Sequence, residues 1–94
     1  MMTRYRTSTQ IICDVLVATK ECGREGIKTP ALLSRSNLSH GRMRTFLSTL
    51  TGSGLVNQIK FDGKNTFVIT EKGMLFLEEY NKFTRLAEAF GMEA

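Results

Sequence analysis

Long hydrophobic runs are missing from this chain, and no stretch approaches the roughly 20 apolar residues that cross a bilayer. The basic opening Met1-Met2-Thr3-Arg4-Tyr5-Arg6 leads into a segment holding Gln10 and Asp14, so the apolar core of a signal peptide does not follow it. A cytoplasmic protein without a membrane partner is expected. There are only two cysteines, Cys13 and Cys22. Both fall on or just past one predicted helix, where nine residues separate the Cα atoms by roughly 13 Å, and a disulfide tolerates about 7 Å. They are expected to be reduced. One histidine and no Cys-x-x-Cys or His-x-x-x-His spacing leave no metal site. Nucleophile–base pairing and a glycine-rich phosphate loop are also missing, so the residues predict neither an enzyme nor a bound cofactor.

What remains is an ordinary globular composition, with 41% hydrophobic and 23% charged residues in 94. That length suits one small globule, only marginally able to bury its own apolar surface. The net charge is +4, unevenly placed. Residues 1–28 carry five basic and three acidic groups, residues 29–70 five and one, and residues 71–94 three and five. No acid occurs from Ala31 to Lys60. A basic middle and an acidic tail point to a polyanion-binding part and a second part with another task.

Punctuation along the chain predicts six elements. Thr7 and Gln10 form a capping-box pattern ahead of a helix to about Glu21, with Ile11, Ile12, Val15 and Leu16 at helical spacing and Gly23 and Gly26 after it. Thr29-Pro30 reads as an N-cap and first helical residue of a short helix to about Arg35. Asn37 suits a turn, Leu38 an apolar plug, and Ser39 a cap for a helix from His40 to about Thr51. Leu55–Lys60 and Asn65–Thr70 read as strands around the tight-turn signal Asp62-Gly63, with Val56, Ile59, Phe67 and Ile69 facing inward. Thr70 then caps a helix from Glu71 to about Phe90.

Helix, short helix, turn, helix, hairpin, long helix is the layout of an α+β winged helix-turn-helix, three helices plus a β-hairpin wing, with a long C-terminal dimerisation helix. In that layout the second helix of the pair enters the DNA major groove. Taking Met43 as zero at about 100° per residue, Phe46, Leu47 and Leu50 fall on one face. Gly41, Thr45, Ser48 and Gly52 lie opposite, with Arg42 and Arg44 on the two shoulders. Small residues permit close approach to base pairs, and arginines reach phosphates or guanine edges. Expected DNA contacts are therefore His40, Gly41, Arg42, Arg44, Thr45 and Ser48 of this helix, with Asn37 and Ser39 at its approach. Lys60, Lys64 and Asn65 at the wing tip join them. So do Lys28 and Thr29, where free N–H groups favour a phosphate, and a basic arm of Arg4 and Arg6.

On the last helix, Phe76, Tyr80, Phe83, Ala87 and Phe90 recur at spacings of four and three, a heptad seam. Leu75, Leu77 and Leu86 broaden it. About 20 helical residues run roughly 30 Å, too long for so small a globule to cover. Met74 and Leu77 are expected to pack back on the globule and the remainder of the seam to pair with a second copy, antiparallel so that bulky aromatics oppose the small Ala87. Residues 1–70 would then form the DNA-binding domain and 71–94 the coiled-coil helix.

Gly26-Ile27-Lys28-Thr29, Asn37-Leu38-Ser39, Leu47-x-x-Leu50, Gly54-Leu55-Val56 and Ile69-Thr70-Glu71-Lys72-Gly73 together resemble archaeal winged-helix regulators. Among these are small dimeric chromatin proteins with an antiparallel coiled coil. The similarity runs over about residues 4–90. It implies winged helices at both ends of a two-helix rod, double-stranded DNA as ligand, no cofactor, and a role in transcription regulation or in the nucleoid. Gly41 departs from the bulky residue such proteins carry early in the third helix. A competing reading is a winged-helix scaffold that binds protein and not DNA.

Overall fold

The computed structural model describes residues 7–92. The first helix, α1, spans Ser8–Cys22. Its capping box is complete: the Thr7 hydroxyl oxygen accepts from the Gln10 N–H at 3.1 Å, and the Gln10 side-chain oxygen accepts from the Thr7 N–H at 2.8 Å. Such a cap stabilises a helix by about 1 kcal/mol. A 3-10 turn at Gly23–Glu25 leads to α2, Thr29–Ser36. This helix begins one residue earlier than expected, with Lys28 at the N-cap and Pro30 in its first turn. The Lys28 carbonyl accepts from the Leu32 N–H at 3.1 Å, which places Thr29 inside the helix. Asn37 ends α2 in the left-handed conformation at φ 56°, as its turn chemistry predicts.

The third helix, α3, spans His40–Gly52, with the Ser39 hydroxyl as its cap. It closes in a full Schellman motif: Leu55 N–H donates to the Leu50 carbonyl at 2.9 Å, Gly54 N–H to the Thr51 carbonyl at 3.1 Å, and Gly54 takes φ 78°. Strands β1, Val56–Phe61, and β2, Lys64–Ile69, form an antiparallel hairpin. Phe61 pairs with Lys64, so the turn is the two residues Asp62 and Gly63, at φ 56° and 77°. Positive φ at both is the condition of the hairpin turn that follows strand twist. The strands thus run one residue closer to the turn than expected. The register also corrects one inward residue. Val56 opposes Ile69 and Gln58 opposes Phe67, whereas Ile59 opposes Thr66 on the other face.

A one-residue pairing adds to the hairpin. Ile27 bridges β2 at Phe67 through two backbone hydrogen bonds of 2.9 Å. The Thr66 hydroxyl adds a 2.6 Å bond to the Glu25 carbonyl, and a Cβ on Gly26, at φ 82°, would stand 2.8 Å from the Phe67 carbonyl oxygen. The last helix, α4, covers Glu71–Ala89 behind the Thr70 cap. Val15, Leu16, Leu32, Met43, Leu50 and Val56 form the fully buried centre of the core, with Leu77 from α4 added at its edge. Met74 is exposed and does not join it.

Thr70 and Gly73 join α4 to the hairpin base. Thr70 donates its N–H to the Leu55 carbonyl at 3.1 Å, and its hydroxyl lies 2.6 Å from the Gly54 carbonyl while accepting from Gly73 N–H at 3.0 Å. Any Cβ on Gly73 would collide with the Leu55 carbonyl oxygen and stand 2.8 Å from Ile69 Cγ1. Gly73→Ala is therefore expected to destabilise the protein by about 2 kcal/mol, as overpacking does. For a domain of this size the thermal midpoint then falls by roughly 10 °C, measurable by circular dichroism. A midpoint within a degree or two of wild type would show that α4 can move off the hairpin at little cost.

Candidate functional site

The outer face of α3 and the near face of the hairpin meet at an angle, and between them runs an open cleft of about 430 Å³. Its lining combines Thr29 of α2, His40, Arg44, Leu47, Ser48, Thr51 and Gly52 of α3, Gln58 of β1 and Phe67 of β2. Leu47 and Phe67 are buried and form an apolar floor. The rim carries a guanidinium, an imidazole, hydroxyls and an amide, and no carboxylate. Every polar side chain in it can donate a hydrogen bond.

The structure thus brings four of the expected residues together: Thr29, His40, Arg44 and Ser48. Gly41, Arg42 and Thr45 are also exposed on α3 but outside the cleft lining. Arg42 lies on the far shoulder, its guanidinium 5.8 Å from the centre of the Phe46 ring. The Thr45 hydroxyl donates to the Gly41 carbonyl at 3.2 Å, and the Ser39 hydroxyl accepts from Arg42 N–H at 3.3 Å, so both are engaged within the helix. Lys28 is exposed at the head of α2, and Asn37 is exposed where α2 ends. Lys60, Lys64 and Asn65 stand exposed at the far end of the hairpin. Arg4 and Arg6 lie outside the described residues. Arg35, one of the five basic residues of the middle segment, is ion-paired with Glu21 of α1 and therefore adds little free positive charge.

Gly52, from the small-residue face of α3, also lines the cleft, and Thr51 and Gln58 join it beyond the expected contacts. Two simple signals mark the latter pair. Thr51 falls at about 80° on the helical wheel beside Arg44, and Gln58 shares the strand face of Val56 by the two-residue period.

The heptad residues of α4 divide into two groups. Phe76 and Tyr80 are half-buried against the core of their own chain, and Ala87 is buried. Phe83 and Phe90 remain 55% and 73% exposed, and Leu75 and Leu86, at 56% and 59%, extend the same open stripe. Neither cysteine contributes to a site. Both are free thiols, and burial, with the neighbouring Asp14 carboxylate second, pushes Cys13 up to about 11. Among the described residues no helix is long and apolar enough to cross a membrane.

A three-helix core, a hairpin wing and a donor-lined cleft between wing and third helix define a winged helix-turn-helix. The chain belongs to the winged helix-turn-helix family, whose model matches residues 5–88. Its fold is similar to that of Sso10a-2, a DNA-binding protein from Sulfolobus solfataricus, with a TM-score of 0.75 and 19% identity over 90% of this chain and 85% of that one. It is similar also to SSV1 F-93, with a TM-score of 0.62 and 21% identity over 92% and 99% of the two chains. The Rio2 kinase from Chaetomium thermophilum contains a comparable unit, with a TM-score of 0.58 and 19% identity over 85% of this chain and 23% of the kinase. No curated protein sequence matches the chain.

Proposed function

We propose that this chain binds double-stranded DNA as a homodimer and acts as a transcriptional regulator or nucleoid protein in the cytoplasm. The observation that carries this reading is the cleft between α3 and the hairpin, which has donors from three elements and no carboxylate. The major groove of B-DNA, about 12 Å wide, admits a helix. The neighbouring minor groove is separated from it by one sugar–phosphate strand. A helix in the first groove and a hairpin in the second hold that strand between them, and the cleft offers it Arg44, His40, Ser48, Thr51 and Gln58. Gly41, Thr45 and Ser48 let the helix approach the bases closely, and Arg42 reaches the opposite wall of the groove. Lys28 and Thr29 meet a phosphate at the head of α2. Lys60, Lys64 and Asn65 rest on the backbone or in the minor groove, and Arg4 and Arg6 extend the contact. The fold's similarity to the DNA-binding Sso10a-2 supports the same reading.

The dimer forms through the open stripe of α4, with Phe83 at its centre, Leu75 and Leu86 beside it, and Phe90 just past the helix end. Phe76 and Tyr80 steady the same helix against its own globule, and Ala87 lies along the seam between Phe83 and Phe90. Full burial of a side chain of this size stabilises by roughly 1.5–3 kcal/mol, so an antiparallel pair of such stripes supplies enough to hold two copies. Each DNA-binding unit then sits at one end of the pair.

Replacing Arg44 with alanine removes one phosphate contact. In anisotropy titrations of a labelled duplex, the slope of log affinity against log salt is expected to shrink by about 1, with unchanged thermal stability. An unchanged slope would take Arg44 out of the interface. Leu86→Glu places a charge in the helix pair and should give a monomer by light scattering without loss of fold. A variant that stays dimeric would mean that another surface joins the two copies.

A further inference from the structure

Phe61 is a large side chain that stays outside the core. It ends β1 beside the turn and is 43% exposed. Core burial along this strand belongs to its other end: Val56 is fully buried, Ile59 half-buried, and Asn57, Gln58 and Lys60 are exposed. A threonine or valine would supply the same strand propensity at this position.

The surroundings of Phe61 are basic and rigid. It pairs across the strands with Lys64 and follows Lys60, which outweigh the single carboxylate of Asp62 in the turn. Asp62 and Gly63 hold the tip at φ 56° and 77°. The base is fastened by the Ile27–Phe67 bridge. From that anchored level, where Gln58 opposes Phe67, the strand runs three residues to Phe61, about 10 Å at the strand rise. The two-residue period puts Phe61 and Lys64 on the hairpin face opposite to Gln58, Lys60 and Phe67, and so away from the cleft. A DNA strand held in the cleft would not meet the ring, which leaves it open to the groove beyond that strand.

We infer that Phe61 is an apolar wedge that presses into the minor groove, opening a base step and bending the duplex. The inference rests on the DNA-binding reading above. Lys60 and Lys64 neutralise the phosphates on either side of the narrow groove, and the ring leaves water by entering it. Inserted apolar side chains of this kind bend DNA by roughly 20–90° toward the major groove.

The test is energy transfer between dyes at the two ends of a short duplex, saturated with the full chain. Wild type shortens the end-to-end distance. Phe61→Ala, and Phe61→Thr, which keeps strand propensity, still bind, with affinity weakened roughly 5- to 10-fold, the low end of aromatic–base contacts. Their salt slope is that of wild type, because no charge is lost, and the bend disappears. Variants that bend DNA as wild type does overturn the inference, as does a wild type that binds without bending. A wild type that does not bind at all overturns the DNA reading itself.

Discussion

The carbonyl of Leu55 is the point on which the geometry turns. It accepts the Thr70 N–H at 3.1 Å, lies 3.0 Å from the Thr70 hydroxyl, and closes on Gly73 too tightly for any side chain. Leu55 itself follows the Schellman turn that ends α3, and Thr70 is the cap that begins α4. One backbone position therefore fixes the end of the third helix, both ends of the hairpin and the departure of the last helix. Lys72 strengthens the same joint by donating to the Ser53 carbonyl at 2.8 Å. A strained or loosened contact here would change the angle between α3 and the wing, and with it the cleft.

A second fastening acts on the other side. The reciprocal hydrogen bonds of Ile27 and Phe67, with Thr66 on the Glu25 carbonyl, tie the hairpin to the linker between α1 and α2. The shape of the cleft is thus set mainly by backbone hydrogen bonds, which leaves the side chains on its rim free for another molecule. That division suits recognition of a polyanion, since a preformed arrangement of donors loses less conformational entropy on binding than a mobile one. The acid-free stretch from Ala31 to Lys60 then has a structural meaning, because it contributes most of the rim.

Much of this was legible in the residues. Thr7 with Gln10, Ser39 and Thr70 announce helix starts through the hydroxyl each offers to orphan N–H groups, and Asp62-Gly63 announces the hairpin through its tolerance of positive φ. The Ile27 bridge was hidden because a single pairing has no period to detect. Ile59 was misplaced because Leu55 and Val56 are both apolar and buried where the chain enters the strand, so alternation could be counted from either. Thr29 looked like a cap by its side chain, yet the helix takes its first carbonyl from Lys28. On α4 the heptad spacing grouped residues by face but could not tell a face covered by the chain's own core, as at Tyr80, from one left open, as at Phe83 and Phe90. Arg35 counts toward the basic middle in the sequence yet is paired with Glu21 in the fold, because net charge along a sequence is blind to partners in space.

The cleft and the helix beside it are proposed to hold duplex DNA through its phosphates. Anisotropy titration of a labelled random-sequence duplex with the intact chain across a salt series tests this most directly. Binding at low salt is expected, with log affinity falling linearly with log salt at about 0.9 per phosphate contacted and several phosphates in all. Failure to bind at low salt, or an affinity indifferent to salt, would contradict the proposal and would favour a winged helix that engages protein.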